Sequence, residues 1–517
     1  MSSSPLRLLF FAGLAAFAFG VTSSGAFSPA GSYYLDNFNL YFLPGLFDRS
    51  LFPADKVTLL FRHMMENPLL REFPLFYFYG MVSRFVPLPY LTKAVSFLLA
   101  LGSAVLAFRT GRRVFGDDRT AFLFSTLAMV CFLSMDSFYF GQNRSFGAFL
   151  FFAFADLAVA GRYAALPFFI YLFYIFYPYL ALPAAIAAAA AFFMLRKEGR
   201  GRTPLLAAAL VSLALAAVTD IGLDAAIEGA GAFDYKLAGF FGWPVSPGNP
   251  LHLVVYYLLN ANEHSRLYSA LLPALAAASL LGWRGSGWKP PVPVRKAALA
   301  LVPFLASFAL LYPFSPLIAS RQAIFAVPYL LCLGAAAWAE TALARTRMVP
   351  AAFAAAAVFA AGHPVLNEID DISPYAGIYR SLGTLPKDAM IAGAPEGRLL
   401  AGIPYYSERQ IFYSDITSEV LSAAASRREK QERRAAEAAA VCSPDPAAAA
   451  AFAAANGVTH FLVERSQAPG GSCGPRGSAL YALAASGRAV LKAAAPEGEV
   501  FLVGAADLPA GGPRKRG

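Results

Sequence analysis

Hydrophobic positions dominate the first 362 residues in repeated runs, each near the length of about 20 residues that crosses a bilayer core. Spans are expected near 6–22, 92–109, 120–136, 145–160, 163–178, 179–195, 204–220, 267–282, 297–313, 322–339 and 348–362, eleven in all. Pro167, Pro178 and Pro183 interrupt the stretch 163–195. That stretch reads either as two spans or as one long kinked region. Two connecting segments are long. Within 23–91, Val57 to Met65 is amphipathic and Phe73 to Phe85 is aromatic-rich. Apolar residues at helical spacing opposite Arg and Glu predict helices lying in the membrane interface. Residues 220–266 are rich in Gly, Pro, Asp and aromatics and read as an ordered loop or cap.

After residue 362 the pattern changes. Asp388 to Gly393 reads as a buried strand, Ser418 to Ala440 as a charged helix, and Ala447 to Ala455 as a helix ended by Asn456-Gly457. Val458 to Val463 and Phe501 to Val503 read as further strands. Strands alternating with helices predict a small α/β domain over 363–510, followed by a disordered tail, 511–517. The expected fold class is therefore a polytopic α-helical membrane protein with a small C-terminal α/β domain.

Composition supports the membrane reading. Hydrophobic residues are 58%, charged residues 14% and mean hydropathy is +0.53. A soluble globule of this size would be nearer a quarter charged. The formal charge of +10 does not point to nucleic acid, because basic residues gather in alternate loops. Arg109, Arg112, Arg113 and Arg119 follow the second span, Arg162 the fourth, and Arg196, Lys197, Arg200 and Arg202 the sixth. Arg284, Lys289, Arg295 and Lys296 follow the eighth, and Arg345 and Arg347 the tenth. The positive-inside rule makes these loops cytoplasmic. With eleven spans, the N-terminus is then inside a cytoplasmic (inner) membrane and the C-terminal domain outside it. Arg7, the apolar run and small residues near Ala26 also fit a cleavable signal; either way residues 23–91 emerge outside. Cys442 and Cys473 both fall in the external domain, where a disulfide is permitted. Cys131 and Cys332 read as packing residues within spans.

Soluble-enzyme signatures are missing: there is no GxxxxGK[ST] phosphate loop, no HExxH and no Cys/His cluster. The five His residues are scattered. An acidic group stands out after the first span: Tyr34-Leu35-Asp36-Asn37-Phe38-Asn39, then Phe47 to Lys56 containing Asp48 and Asp55. A carboxylate flanked by aromatics at a membrane surface suits a general base. Asp48 and Asp55 read equally as helix caps. Arg144 and Arg321 are isolated cations at the external ends of spans, where intramembrane charge tends to be functional. A planar guanidinium suits phosphate because it donates two bonds at once. Snorkelling, or pairing with Asp136 or Glu263, is the structural alternative. Tyr171, Tyr174, Tyr177 and Tyr179 read as a groove lining or as ordinary packing.

The order of these features resembles the GT-C superfamily of membrane glycosyltransferases. Locally, Leu46 to Asp55, Asn143-Arg144-Ser145-Phe146-Gly147, Phe176-Tyr177-Pro178, Tyr312 to Pro316 with Arg321, Leu385 to Ala389, and Gly457 to Phe461 are similar to uncharacterised bacterial GT-C-like proteins. The resemblance implies an enzyme that moves a sugar from a polyprenyl-phosphate donor, with inversion, to a glycan, lipid or protein acceptor on the external face. It implies Asp36 as the base, with Arg144, Arg321, Asp48, Asp55 and Lys56 as substrate-binding candidates. Family members often pair two acids at the base; here Asn37 follows Asp36, so a divalent metal is permitted rather than required. A lipid-linked glycan polymerase or ligase, a transporter and a non-catalytic scaffold are the alternatives.

Overall fold

The computed structural model describes residues 88–134, 143–197, 202–226, 266–285, 292–311, 316–343, 375–407, 409–414, 424–495 and 498–509, with single positions at 12, 79, 82, 85, 86 and 138. The chain divides into two compact units, Met1–Ser24 with Thr92–Glu368, and Gly25–Leu91 with Ile369–Gly517. The expected spans 6–22 and 348–362, the interfacial helices of 23–91 and most of the 220–266 loop lie outside the described residues.

In the first unit the apolar runs form helices. They are α1 (Leu88–Phe115), α2 (Asp118–Ser134), α3 (Asn143–Val159), α4 (Phe168–Phe176), α5 (Ala181–Lys197), α6 (Thr203–Ala226), α7 (Arg266–Gly285), α8 (Val292–Leu311) and α9 (Pro316–Leu343). Tyr90–Phe115 is long and apolar enough to cross a membrane, and α6 to α8 have 24, 20 and 20 residues. The stretch 163–195 forms two separate helical segments that pack against each other. A 3-10 turn at Tyr163–Ala165 precedes α4, and a second at Pro178–Leu180 precedes α5. At about 1.5 Å per residue, the nine residues of α4 rise only about 13.5 Å. Pro178 lacks an amide hydrogen and so cannot extend α4.

Leu206, Leu210 and Leu213 of α6, Leu280 and Leu281 of α7 and Leu310 of α8 are exposed. A row of exposed leucines is a liability in water and ordinary against lipid. Small residues bring helices close. Gly334 of α9 leaves room for Ser279 of α7: a Cβ at 334 would meet the serine Oγ at 1.8 Å. Cys131 and Cys332 are buried free thiols, as packing residues should be.

The second unit contains a five-stranded sheet of order β2-β1-β3-β5-β4. The strands are β1 (Met390–Ala392), β2 (Gln410–Ile411), β3 (His460–Glu464), β4 (Leu491–Ala495) and β5 (Gly498–Gly504). β1 pairs in parallel with β2 and β3, and β5 is antiparallel to β3 and β4. Around it lie α10 (Ala376–Leu382), α11 (Arg398–Ser407), α12 (Ala424–Val441), α13 (Pro446–Asn456) and α14 (Ala479–Leu483). The ends of α13 are set locally. Asp445 accepts from the Ala447 amide, Pro446 pre-sets the first turn, and Gly457 turns left-handed at φ 68°. Alternation along β3 sends Phe461 and Val463 into the core with Phe501, Val503, Ala449 and Ala453. Leu462 faces the opposite side, beside Gly393.

Arg409 is 4% exposed and is held by carbonyls. It donates to Leu385, Ser407 and Gly383, tying the chain after α10 to the end of α11. A disulfide joins Cys442, just after α12, to Cys473.

His460, at the start of β3, is half-buried with Nδ1 2.9 Å from Thr459 Oγ1. Burial lowers its pKa from the ordinary 6.5, against an opposing pull from Asp507. Above 6.5 the ring is neutral folded or unfolded and costs nothing. Below it the unfolded chain takes up the proton first, so stability falls with pH until the lowered folded value is passed. The thermal midpoint of the purified protein should therefore drop between pH 7.5 and 5.5 by more than that of His460→Asn. Equal drops would contradict this origin of the pH dependence.

Candidate functional site

The first unit is organised around an aromatic layer. Phe325 of α9 lies 5.7 Å from Phe132 of α2, 5.9 Å from Phe151 of α3 and 5.7 Å from Tyr177. Phe151 also meets Phe304 of α8 at 5.4 Å, edge to face. One step further along the bundle, Tyr329 packs against Phe124, Phe151 and Phe152 at 5.2–5.5 Å. Edge-to-face and offset ring pairs contribute about 0.5–1.5 kcal/mol each beyond area burial. Tyr177 enters this layer because residue 147 is glycine. A Cβ there would meet the tyrosine Cβ and Cγ at 2.8 Å.

This packing places two of the sequence candidates. Arg144 is the second residue of α3, half-buried, and lies one turn before Gly147. Arg321 is in the second turn of α9, one turn before Phe325. Residues three or four apart share a helix face. The faces carrying both arginine positions therefore meet at Tyr177, each one turn to the same side of the aromatic layer. Asp36, Asp48, Asp55 and Lys56 lie outside the described residues. Of the tyrosine run, Tyr177 is buried and packs in the layer, 5.2 Å from Tyr179. Among the described residues no three His, Cys, Asp or Glu side chains gather to hold a metal ion.

At the other end of α3 sits a buried acid that sequence reasoning missed. Asp156 is 1% exposed. Its carboxylate pairs with Arg113 and, at 3.3 Å, with Arg109, and accepts from Thr110 Oγ1 at 3.3 Å. Arg113 also donates to the Asp156 carbonyl at 3.2 Å. A buried carboxylate is tolerable only when paired and hydrogen-bonded. This cluster fixes α1 against α3 with both chains running the same way. Gly102 against Phe149 repeats the same offset nearer the other end.

A solved structure shares this architecture over its whole length. ArnT from Cupriavidus metallidurans, bound to undecaprenyl phosphate, superposes with a TM-score of 0.57 at 13% identity, over 99% of this chain and 100% of that one. The chain shares the fold of that structure. Two oligosaccharyltransferase structures from Archaeoglobus fulgidus are more distantly similar. AglB with an inhibitory peptide and a dolichol-phosphate gives a TM-score of 0.43 at 11% identity, over 90% of this chain and 70% of that one. A complex with Zn and sulfate gives 0.45 at 12%, over 97% and 74%. No family model and no curated protein matches the sequence. The exposed leucines of α6 to α8 agree with a helical membrane fold.

Gly147 and Tyr177 should be energetically coupled. Gly147→Leu overpacks the layer and should cost about 1–3 kcal/mol. Tyr177→Ala should cost as much by cavity formation. The double variant should be more stable than the two losses predict, by at least about 1 kcal/mol in a double-mutant cycle. Simple additivity of the thermal shifts would contradict the contact.

Proposed function

We propose that this protein is a membrane glycosyltransferase that takes a sugar from a polyprenyl-phosphate donor at the extracytoplasmic face of the cytoplasmic membrane. The observation that carries the reading is the end-to-end GT-C likeness to ArnT, a protein seen with undecaprenyl phosphate, combined with two arginine positions on one side of a shared aromatic layer. In the proposed eleven-span topology those arginines lie at the outer end and the basic loops inside. The Cys442–Cys473 disulfide supports an external tail, because such bonds persist in oxidising compartments.

In the proposed reaction an acceptor hydroxyl or amine attacks the anomeric carbon from the face opposite the lipid phosphate, inverting that centre. Asp36 takes the acceptor proton as the new bond forms. The bond from the anomeric carbon to the phosphate oxygen breaks, and its electron pair leaves with the lipid phosphate. Arg144 and Arg321 stabilise that growing negative charge, which is worth most in a low-dielectric site. Asp48, Asp55 and Lys56, on the same segment as Asp36, are proposed to bind the sugar or the acceptor. A divalent ion there would find its ligands among these carboxylates.

The test is transfer from a panel of polyprenyl-phosphate sugars by purified protein and Asp36→Asn. Loss of a general base costs about 10²–10⁴-fold in rate. The variant should fall by that amount while its thermal midpoint stays near that of the parent. Equal activity would remove Asp36 from the chemistry. No transfer by the parent from any such donor would favour the scaffold alternative.

A further inference from the structure

Helix α1 shows one face to its surroundings. Its exposed positions are Ala94, Leu98, Val105, Arg109 and Arg112, with Leu101 and Gly102 partly exposed between them. That spacing of three, four and seven residues is a single stripe along a helix. The stripe is apolar as far as Val105 and cationic from Arg109 onward. Leu98 to Arg109 is eleven residues, a rise of about 16.5 Å. One leaflet of a bilayer core, half of about 30 Å, has nearly that thickness.

The charges at this corner are sorted by depth. Arg109 Nη2 lies 3.3 Å from Asp156 Oδ2, and the two side chains are 48% and 2% exposed. Arg112 Nε lies 3.3 Å from Asp118 Oδ1, at 56% and 17%. The carboxylates therefore stand inside and the guanidinium groups outside. Arg113 and Thr110 also serve Asp156, so Arg109 is not needed to neutralise it. Each of these ion pairs engages one nitrogen of a group that carries five N–H donors. Arg109, Arg112, Arg113 and the exposed Arg119 outnumber Asp117, Asp118 and Asp156 by one, so the corner keeps a positive charge on its outer side. Two preoriented guanidinium groups at the end of an apolar stripe suit an anion that carries a long apolar chain.

We infer that this face of α1 binds an anionic phospholipid of the surrounding bilayer. The phosphate sits between Arg109 and Arg112, and an acyl chain runs along Val105 and Leu98. The inference rests on α1 crossing the membrane, and on neither the sugar donor nor Asp36. In the proposed topology the site belongs to the cytoplasmic leaflet, at the opposite end of the bundle from Arg144 and Arg321. A basic recess at a helix corner is a recurrent way of holding anionic headgroups. The competing role is plain snorkelling, in which both arginines reach the interface and accept any headgroup alike.

The probe is dioleoyl phosphatidylglycerol, with dioleoyl phosphatidylcholine as the zwitterionic control. Each is titrated into full-length protein in neutral detergent, and bound lipid is counted by native mass spectrometry. The parent should prefer phosphatidylglycerol. Joint Arg109→Gln and Arg112→Gln should weaken that binding about tenfold or more and leave phosphatidylcholine unchanged, because each basic residue beside an anionic headgroup contributes several-fold. Arg284→Gln removes the same charge from an exposed arginine at the end of α7 and should change the affinity by less than about twofold. If the double variant does not fold, Arg112→Gln alone leaves Asp156 fully paired and should still weaken phosphatidylglycerol about threefold or more. Unchanged affinity in the α1 variants, an equal loss in Arg284→Gln, or a parent that binds both lipids alike overturns the inference. A parent that binds neither lipid contradicts the membrane-facing reading of α1 itself.

Discussion

Helices in a bilayer gain nothing from hiding apolar surface from water, because the lipid tails are as apolar as leucine. Their association has to come from close packing and from a few polar contacts. In this chain the packing is concentrated in one aromatic layer. Phe325 touches rings from α2 and α3 and the residue after α4. Gly147 admits Tyr177, and Gly334 admits Ser279 nearby. Without that layer the arginine positions of α3 and α9 would have no reason to share a level. The proposed site stands on it.

The polar contacts complete the frame at the opposite end. Asp156 accepts from Arg109, Arg113 and Thr110 and so locks α1 beside α3 in parallel. Removing one partner of a buried ion pair leaves an uncompensated charge, a cost of about 3–5 kcal/mol. The two ends of the bundle therefore differ in kind. At the Asp156 end a carboxylate and two guanidinium groups are joined in one cluster. At the other end the aromatic layer lies beside the helix starts that carry Arg144 and Arg321.

Much of the helical unit was legible in the sequence, because a long apolar run has few alternatives. The runs at 92–109, 204–220 and 322–339 each became one helix, extended at both ends. The two helices on either side of Pro178 were legible as two runs, and the turn at Tyr163–Ala165 that shortens the first was not. In the tail, β1, β3 and β5 followed from buried apolar runs. β2 has two residues, too few for any periodicity, and β4 is Leu-Lys-Ala-Ala-Ala, a helix-favouring string held extended by pairing with β5. Arg144 and Arg321 were visible as isolated charges. Asp156 was not, since its burial and its pairing come from neighbours distant in sequence. The disulfide was readable as a possibility from compartment alone, and its partners only from the fold.

The most direct measurement is an experimental structure of the full chain with undecaprenyl phosphate. The account predicts phosphate density at the end of the bundle that carries the Arg144 and Arg321 positions, with the prenyl chain leaving over the aromatic layer toward lipid. Phosphate at the Asp156 end would contradict it.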